Sequence, residues 1–276
     1  MNNSILITGC NSGIGAATAK LFLEQGWEVI ATVLPTNPVN TIAAIKSDSL
    51  HIIEMDITIA EHRRRVIDVI NNKFGGTLDC LINNAGVRNQ IPFEYLPHDL
   101  ISKTIDVNLT STCLLTRECI DALIKTQGRV VCISSVAGFI PIPMGSIYTA
   151  CKYALEGFVQ CLAIELKDDN VQICSLQPGA HETPINNVKD LSHLGNSKKL
   201  DRAFKMATCL YKYKKPPADN VARKIYKLIQ MKNMPIQSQI GTDAKLHYFF
   251  RSILPFHLWM KFHKLFFSFG LLSIQP

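Results

Sequence analysis

The sequence predicts an α/β fold: a doubly wound parallel β-sheet with helices on both faces, followed by a helical C-terminal extension. Three observations carry that expectation. Short β-branched or apolar runs alternate with helical patterns through the first 180 residues, the pattern of strands joined by right-handed crossover helices. A glycine-rich turn joins the first run to the first helix. The chain of 276 residues, 47% hydrophobic and 18% charged, is long enough for one large domain with a well-buried core.

In chain order, the expected strands are Ser4–Thr8, Glu28–Thr32, His51–Met55, Cys80–Asn83, Arg129–Ser134 and Gln172–Gln177. Between the first two, Ala16, Ala19, Leu21, Phe22 and Leu23 give Gly15–Gln25 an apolar helical face, and Gly26 is its stop signal. After Pro178-Gly179 the alternation ends. Residues 181–217 are polar, basic and interrupted, and a helix is expected from about Asp219 to Met231. Pro255 separates the segment Asp243–Leu254 from an aromatic tail. No internal repeat or low-complexity stretch is present, so 1–276 reads as a single domain.

Charge is divided unevenly along the chain. Residues 1–195 hold 14 Lys/Arg and 19 Asp/Glu, a balance of −5; residues 196–276 hold 15 and 3, a balance of +12. Electrostatic arguments about partners therefore belong to the last third. The nine cysteines form no C-x-x-C pair and several fall in apolar runs. They read as reduced, buried thiols of a cytoplasmic protein, neither a disulfide framework nor a metal site. No basic and apolar leader precedes Ser4, so no cleaved signal peptide is expected.

Thr8-Gly9-Cys10-Asn11-Ser12-Gly13-Ile14-Gly15 leads from a strand into a helix. Glycines there let backbone approach a pyrophosphate, and the helix N-terminus presents N–H groups to it. The spacing is G-x-x-x-G-x-G, which differs from the standard dinucleotide fingerprint. Taken alone, such a loop is also compatible with a tight turn that binds nothing.

Further along stand Ser134-Ser135-Val136-Ala137-Gly138 and Tyr148-Thr149-Ala150-Cys151-Lys152. Tyr148 and Lys152, four residues apart, share one helix face. A phenol is a poor base at neutral pH, and an ammonium beside it favours the phenolate. Ser135, just after a strand, is placed to hold a substrate oxygen. A lone Y-x-x-x-K is more often two residues on a solvated helix, so the assignment depends on its company.

That company resembles the short-chain dehydrogenase/reductase family over about Ser4 to Thr183. The motifs occur in the family's order: TGCNSGIG at 8–15, Asp56-Ile57, Asn83-Asn84-Ala85-Gly86, Asn108 in DVNLTS, Ser135, Tyr148/Lys152, and Pro178-Gly179 with Thr183. The resemblance implies a Rossmann-type fold and a catalytic set of Asn108, Ser135, Tyr148 and Lys152. Tyr148 would exchange the proton on the substrate oxygen, which Ser135 orients. Lys152 would bind the nicotinamide ribose and act on the tyrosine, and Asn108 would hold a water leading to Lys152. Gly9, Asn11, Ser12, Gly13, Ile14 and Gly15 would hold the cofactor's pyrophosphate end. Asp56 and Ile57 would flank adenine, and Asn84, Ala85 and Gly86 would line the adenine-ribose side. Thr183 with the Pro178-Gly179 turn would position the carboxamide. Residues 1–180 then form a cofactor-binding and catalytic core, 181–217 a substrate-pocket lid, and 218–276 a basic, aromatic extension. Two departures are noted: Cys151 where Ser is frequent, expected to be silent, and His181-Glu182 before Thr183, read as a solvated loop.

The second strand ends Ala31-Thr32-Val33-Leu34-Pro35-Thr36-Asn37 without the acid that bonds a ribose 2′-hydroxyl. NADP(H) is favoured by that elimination, and NAD(H) stays open because no Arg follows. In the tail, Leu258, Phe262, Leu265, Phe266 and Phe269 form an amphipathic helical stripe. Arg251, Lys261 and Lys264 leave only Leu265–Ile274 uncharged, too short to span a bilayer. The stripe is read first as packing on the protein's own core, with a subunit contact and a peripheral membrane contact through 255–276 as alternatives. The tail resembles that of members acting on retinoids and steroids, implying a small apolar carbonyl or alcohol substrate. A homodimer is the expected assembly, and no nucleic-acid module is found. The competing readings are a non-catalytic NADP(H)-binding scaffold and a 3-oxoacyl-type reductase.

Overall fold

Among the described residues of this computed structural model, 3–186 and 215–272, seven strands lie parallel in one sheet. They are β1 (Ser4–Ile7), β2 (Glu28–Val33), β3 (Leu50–Glu54), β4 (Cys80–Asn83), β5 (Arg129–Ile133), β6 (Gln172–Pro178) and β7 (Gln237–Ile240), ordered β3-β2-β1-β4-β5-β6-β7. The helices are α1 (Gly13–Glu24), α2 (Ala60–Phe74), α3 (His98–Ile105), α4 (Ser111–Thr126), α5 (Ser146–Glu165), α6 (Asp219–Ile229), α7 (Thr242–Ile253) and α8 (Phe256–Leu272). Strand order reverses between β1 and β4. In such sheets the crevice beyond the strands' carboxyl ends, at that reversal, is where ligands bind.

The apolar runs fold as strands because they are covered on both faces. In β1, Ile5 and Ile7 join Ala19 and Phe22 of α1 and Val221 and Ile225 of α6. Leu6 faces the other way, with Val66 of α2, Leu115 of α4 and Leu155 of α5. Phe22, fully buried, meets Trp27 and Tyr226 edge to face at 5.0 and 5.4 Å; burying such a ring contributes about 2–3 kcal/mol.

The six expected strands are present, with shifts of at most one residue at their ends. The seventh is an addition: β7 pairs in parallel with β6, from Ser175↔Gln237 to Pro178↔Ile240. Residues 219–240, expected as part of an extension, thus complete the core. Residues 187–214, most of the expected lid, and Cys209 with them, lie outside the described residues.

The C-terminal helix does pack on the core, but not by the expected stripe. Trp259, 1% exposed, sits with Phe139 and Ile140, and His263 is buried one turn on. Leu258, Phe262 and Leu265, on a neighbouring face, remain exposed; the side chains of Phe266 and Phe269 lie outside the described residues. No helix among the described residues is long and apolar enough to cross a membrane.

Candidate active site

The glycine loop leaves β1 at the sheet's reversal and opens α1. Gly9 and Gly13 have φ of +72° and +59°, a region that disfavours side chains. A Cβ on Gly15 would collide with the Gly9 carbonyl oxygen, and one on Gly9 would come within 2.9 Å of the Ala85 backbone. The space is a cradle that only bare backbone can form. Ser12 takes the N-cap position of α1 without a capping bond from its hydroxyl. The first N–H groups of the helix, from Gly13 to Gly15, face out of that end.

Two side chains brace the loop. Thr8 Oγ1 accepts from the N–H groups of Asn84 and Ala85 at 2.9 and 2.8 Å, while Asn84 Nδ2 donates to the carbonyls of Thr8 and Gly9 at 2.7 and 3.1 Å. The segment Asn84–Gly86 is thereby fixed against the loop, and the Asn84 amide is engaged in holding it. Asn11, buried, works on the other side. Its Oδ1 accepts from the Leu34 N–H at 2.7 Å, and its Nδ2 donates to the carbonyls of Leu34 and Val39. Asn11 therefore shapes the segment after β2. Asp56, beyond β3, caps its own turn by accepting from Thr58, and Ile57 is held by Arg63, whose Nη1 donates to its carbonyl at 2.9 Å.

Asn108 lies in a π-turn, Asp106–Thr110, between α3 and α4; such wide turns favour functional positions. Ser135 caps a short 3₁₀ turn, Val136–Gly138, with its Oγ accepting from the Ala137 N–H at 3.1 Å. Both turns pack against α5, so Asn108, Ser135, Tyr148 and Lys152 converge on one helix. Lys152 is buried and its Nζ donates to the Ile133 carbonyl at 2.7 Å, while lying 5.6 Å from the centre of the Tyr148 ring. One turn further, the buried Glu156 accepts from Ser175 Oγ at 2.7 Å and Gln237 Nε2 at 2.8 Å, clamping α5 to β6 and β7.

Thr183 sits across the glycine loop, where a Cβ on Gly13 would be 3.4 Å from its methyl. A side chain on Gly179 would displace the Asp243 carboxylate, which accepts from the Ala180 N–H at 2.8 Å. His181 is buried and its Nδ1 is 3.1 Å from the Gly179 carbonyl, not solvated as the sequence suggested. Arg88 was not anticipated: its guanidinium lies 5.5 Å from the centre of the Tyr148 ring. Its only sequence signal is a position two residues past Gly86.

A short chain dehydrogenase family profile matches residues 3–192. Dehydrogenase/reductase SDR family member 9 of Homo sapiens is 35% identical over 183 residues, covering 66% of this chain and 57% of that protein. A serine 3-dehydrogenase of Agrobacterium fabrum is 32% identical over 227 residues, covering 82% of this chain and 87% of that protein. A solved 4-hydroxyisoleucine dehydrogenase mutant, complexed with NADH and succinate, superposes with a TM-score of 0.71 at 29% identity, covering 86% of this chain and 96% of that one. By sequence profile, relatives and fold together, the chain belongs to the short-chain dehydrogenase/reductase family of oxidoreductases.

Proposed function

We propose that this protein interconverts a secondary alcohol and a ketone or aldehyde with a nicotinamide dinucleotide, using Tyr148 as acid and base. The observation that carries the reading is the pairing of buried Tyr148 and Lys152 on α5, with Lys152 fixed by the Ile133 carbonyl. The residues present fit the cofactor, since the Gly9/Gly15 cradle has no room for a side chain and Thr183 closes its far side. When bound, that cofactor supplies the hydride donor or acceptor. Tyr148 moves a proton at the substrate oxygen, Ser135 orients that oxygen, and Lys152 binds the nicotinamide ribose. Gly9, Ser12, Gly13, Ile14 and Gly15 serve the pyrophosphate end, Asp56 and Ile57 the adenine, and Ala85 and Gly86 the ribose beside it. Pro178, Gly179 and Thr183 serve the nicotinamide end.

The finer assignments follow from the same surfaces. NADP(H) is the preferred cofactor, because Asn11 holds Leu34 where an acidic residue would select NAD(H). The substrate is apolar, in keeping with the run Val136–Met144 between Ser135 and Tyr148, in which Phe139 and Ile140 are buried. Buried thiols suit a cytoplasmic protein. A homodimer would cover exposed Leu114 on α4 and Tyr153 and Ile164 on α5, and the terminal helix gives the protein a peripheral bilayer contact.

The test is thermal-shift titration with NADP(H) and NAD(H), followed by turnover on a hydroxysteroid, retinoid and aliphatic ketone panel. Tyr148→Phe should keep the cofactor-induced shift and lose turnover; undiminished turnover would sink the mechanism. Arg88 beside Tyr148 favours a second reading, an oxoacyl substrate carrying an acidic group. That reading predicts preference for an acidic ketone over its methyl ester, lost in Arg88→Leu. A nucleotide-binding scaffold would instead bind dinucleotide and turn over nothing.

A further inference from the structure

The apolar stripe of α8 continues onto α7. Leu246, Phe249 and Ile253 are 56%, 57% and 56% exposed, and Leu258, Phe262 and Leu265 are 44%, 40% and 50% exposed. Phe250 and Phe262 join the two, their ring centres 6.3 Å apart. Leu246, Phe249, Phe250 and Ile253 fall on one side of α7 by helical spacing. The two helices therefore present one ridge of large apolar side chains to the outside, larger than scattered surface leucines require.

At the N-terminal end of that ridge opens a cleft of about 780 Å³, bordered by Lys215, Arg223, Lys224, Lys227 and Lys245. Arg223, Lys224 and Lys227 share a face of α6, and Lys245 stands one turn before Phe249. Among the described residues, the one carboxylate bordering the cleft, Asp243, is engaged with the Ala180 N–H. No ion pair among the described residues involves Arg223, Lys224, Lys227 or Lys245. Burial, and after it the charge of Arg88, push Lys215 below the ordinary lysine range, with Glu182 opposing; an anion in the cleft would relieve that crowding.

We propose that α6, α7 and α8 form a docking face for an anionic bilayer, the cationic cleft taking lipid headgroups while the ridge enters the interfacial layer. The inference rests on the reading of the terminal helix as a bilayer contact and relocates its electrostatic half to α6 and α7. A bilayer surface matches both halves at once. A nucleic acid or free phosphate would leave the ridge in water. A second copy of this chain would set Lys245, Arg251, Lys261 and Lys264 against themselves, since 242–272 contains no acid besides Asp243.

Co-sedimentation of the full chain with phosphatidylcholine vesicles, with and without phosphatidylserine, tests the proposal. Binding is expected only with phosphatidylserine and should fall steeply with added salt. Arg223→Glu with Lys227→Glu should weaken it by at least about tenfold. Phe249→Ser with Ile253→Ser should weaken it comparably, and both variants should retain the dinucleotide-induced thermal shift as evidence of folding. Binding that ignores phosphatidylserine, or that high salt leaves unchanged in the unaltered chain, would overturn the proposal without recourse to any variant. So would lipid-free, concentration-dependent dimerisation abolished by the ridge substitutions. Ketone turnover in solution needs no vesicle, so failure of docking and failure of the catalytic reading are told apart.

Discussion

Asn108 and Val87 grip each other twice: Asn108 Nδ2 donates to the Val87 carbonyl at 2.8 Å, and Asn108 Oδ1 accepts from the Val87 N–H at 2.9 Å. The side chain of Asn108 thus acts as a bracket between the π-turn and the loop that follows β4. A side chain on Gly86 would meet the same Oδ1 at 2.9 Å. Replacing Asn108 by Leu leaves the half-buried N–H and carbonyl of Val87 without this partner, at a cost of up to about 1–3 kcal/mol each. We expect Asn108→Leu to lower the urea midpoint and to reduce kcat/KM by at least about tenfold, because Val87 positions the chain leading to Arg88. An unchanged midpoint would show that the bracket contributes nothing.

The segment after β2 is held by Asn11 but carries no charge of its own. Placing a carboxylate at its first residue should supply a partner for a ribose 2′-hydroxyl and repel a 2′-phosphate. Leu34→Asp is therefore expected to shift the ratio of kcat/KM for NADP(H) over NAD(H) towards NAD(H) by at least about tenfold, roughly the effect of 1.4 kcal/mol. A ratio that does not move would place the discriminating contact elsewhere.

Cysteine reactivity should follow burial. Burial pushes the Cys132 and Cys174 thiols up to about 12 and also raises Cys10, Cys80 and Cys119. Since the thiolate is the nucleophile, these groups are inert at neutral pH. Cys161 is exposed. Under brief alkylation of the native protein, peptide mass mapping should find Cys161 modified and those five protected, until denaturant exposes them together.

His263 provides a pH dependence with a definite sign. Burial, then the charge of neighbouring His247, hold its ring down at about 4, against a hydrogen bond with Trp259. Burial lowers His247 as well, with Asp243 opposing. The folded protein keeps His263 neutral, whereas the unfolded chain takes up a proton below about 6.5. Stability is thus full above pH 6.5 and declines as pH falls towards 4. The melting temperature should drop across that window, and His263→Phe should flatten the drop. A variant that tracks the parent at every pH would remove His263 as the cause.

The sheet was readable because Ile5, Leu6 and Ile7, like Val130 and Val131, belong to continuous apolar runs buried on both faces. The Tyr148/Lys152 helix was readable from spacing, since i, i+4 geometry is local. β7 was not, because Gln-Ser-Gln-Ile has almost no apolar content; it is a strand because β6 offers an unpaired edge. The seating of α8 was misread for a related reason. His263 counts as polar in a hydropathy pattern, yet its neutral ring is buried beside Trp259, 4.1 Å between ring centres. Arg88 and the Asn11 brace depend on contacts across the fold, which no local period encodes.

The pairing of β7 with β6 also bears on how the chain matures. During synthesis β6 stays an open edge, able to recruit a strand from another nascent chain, until Ile240 has left the ribosome. Glu156, buried on α5, likewise waits for Gln237. Termination anywhere before residue 240 would therefore yield an aggregation-prone polypeptide and not a smaller enzyme.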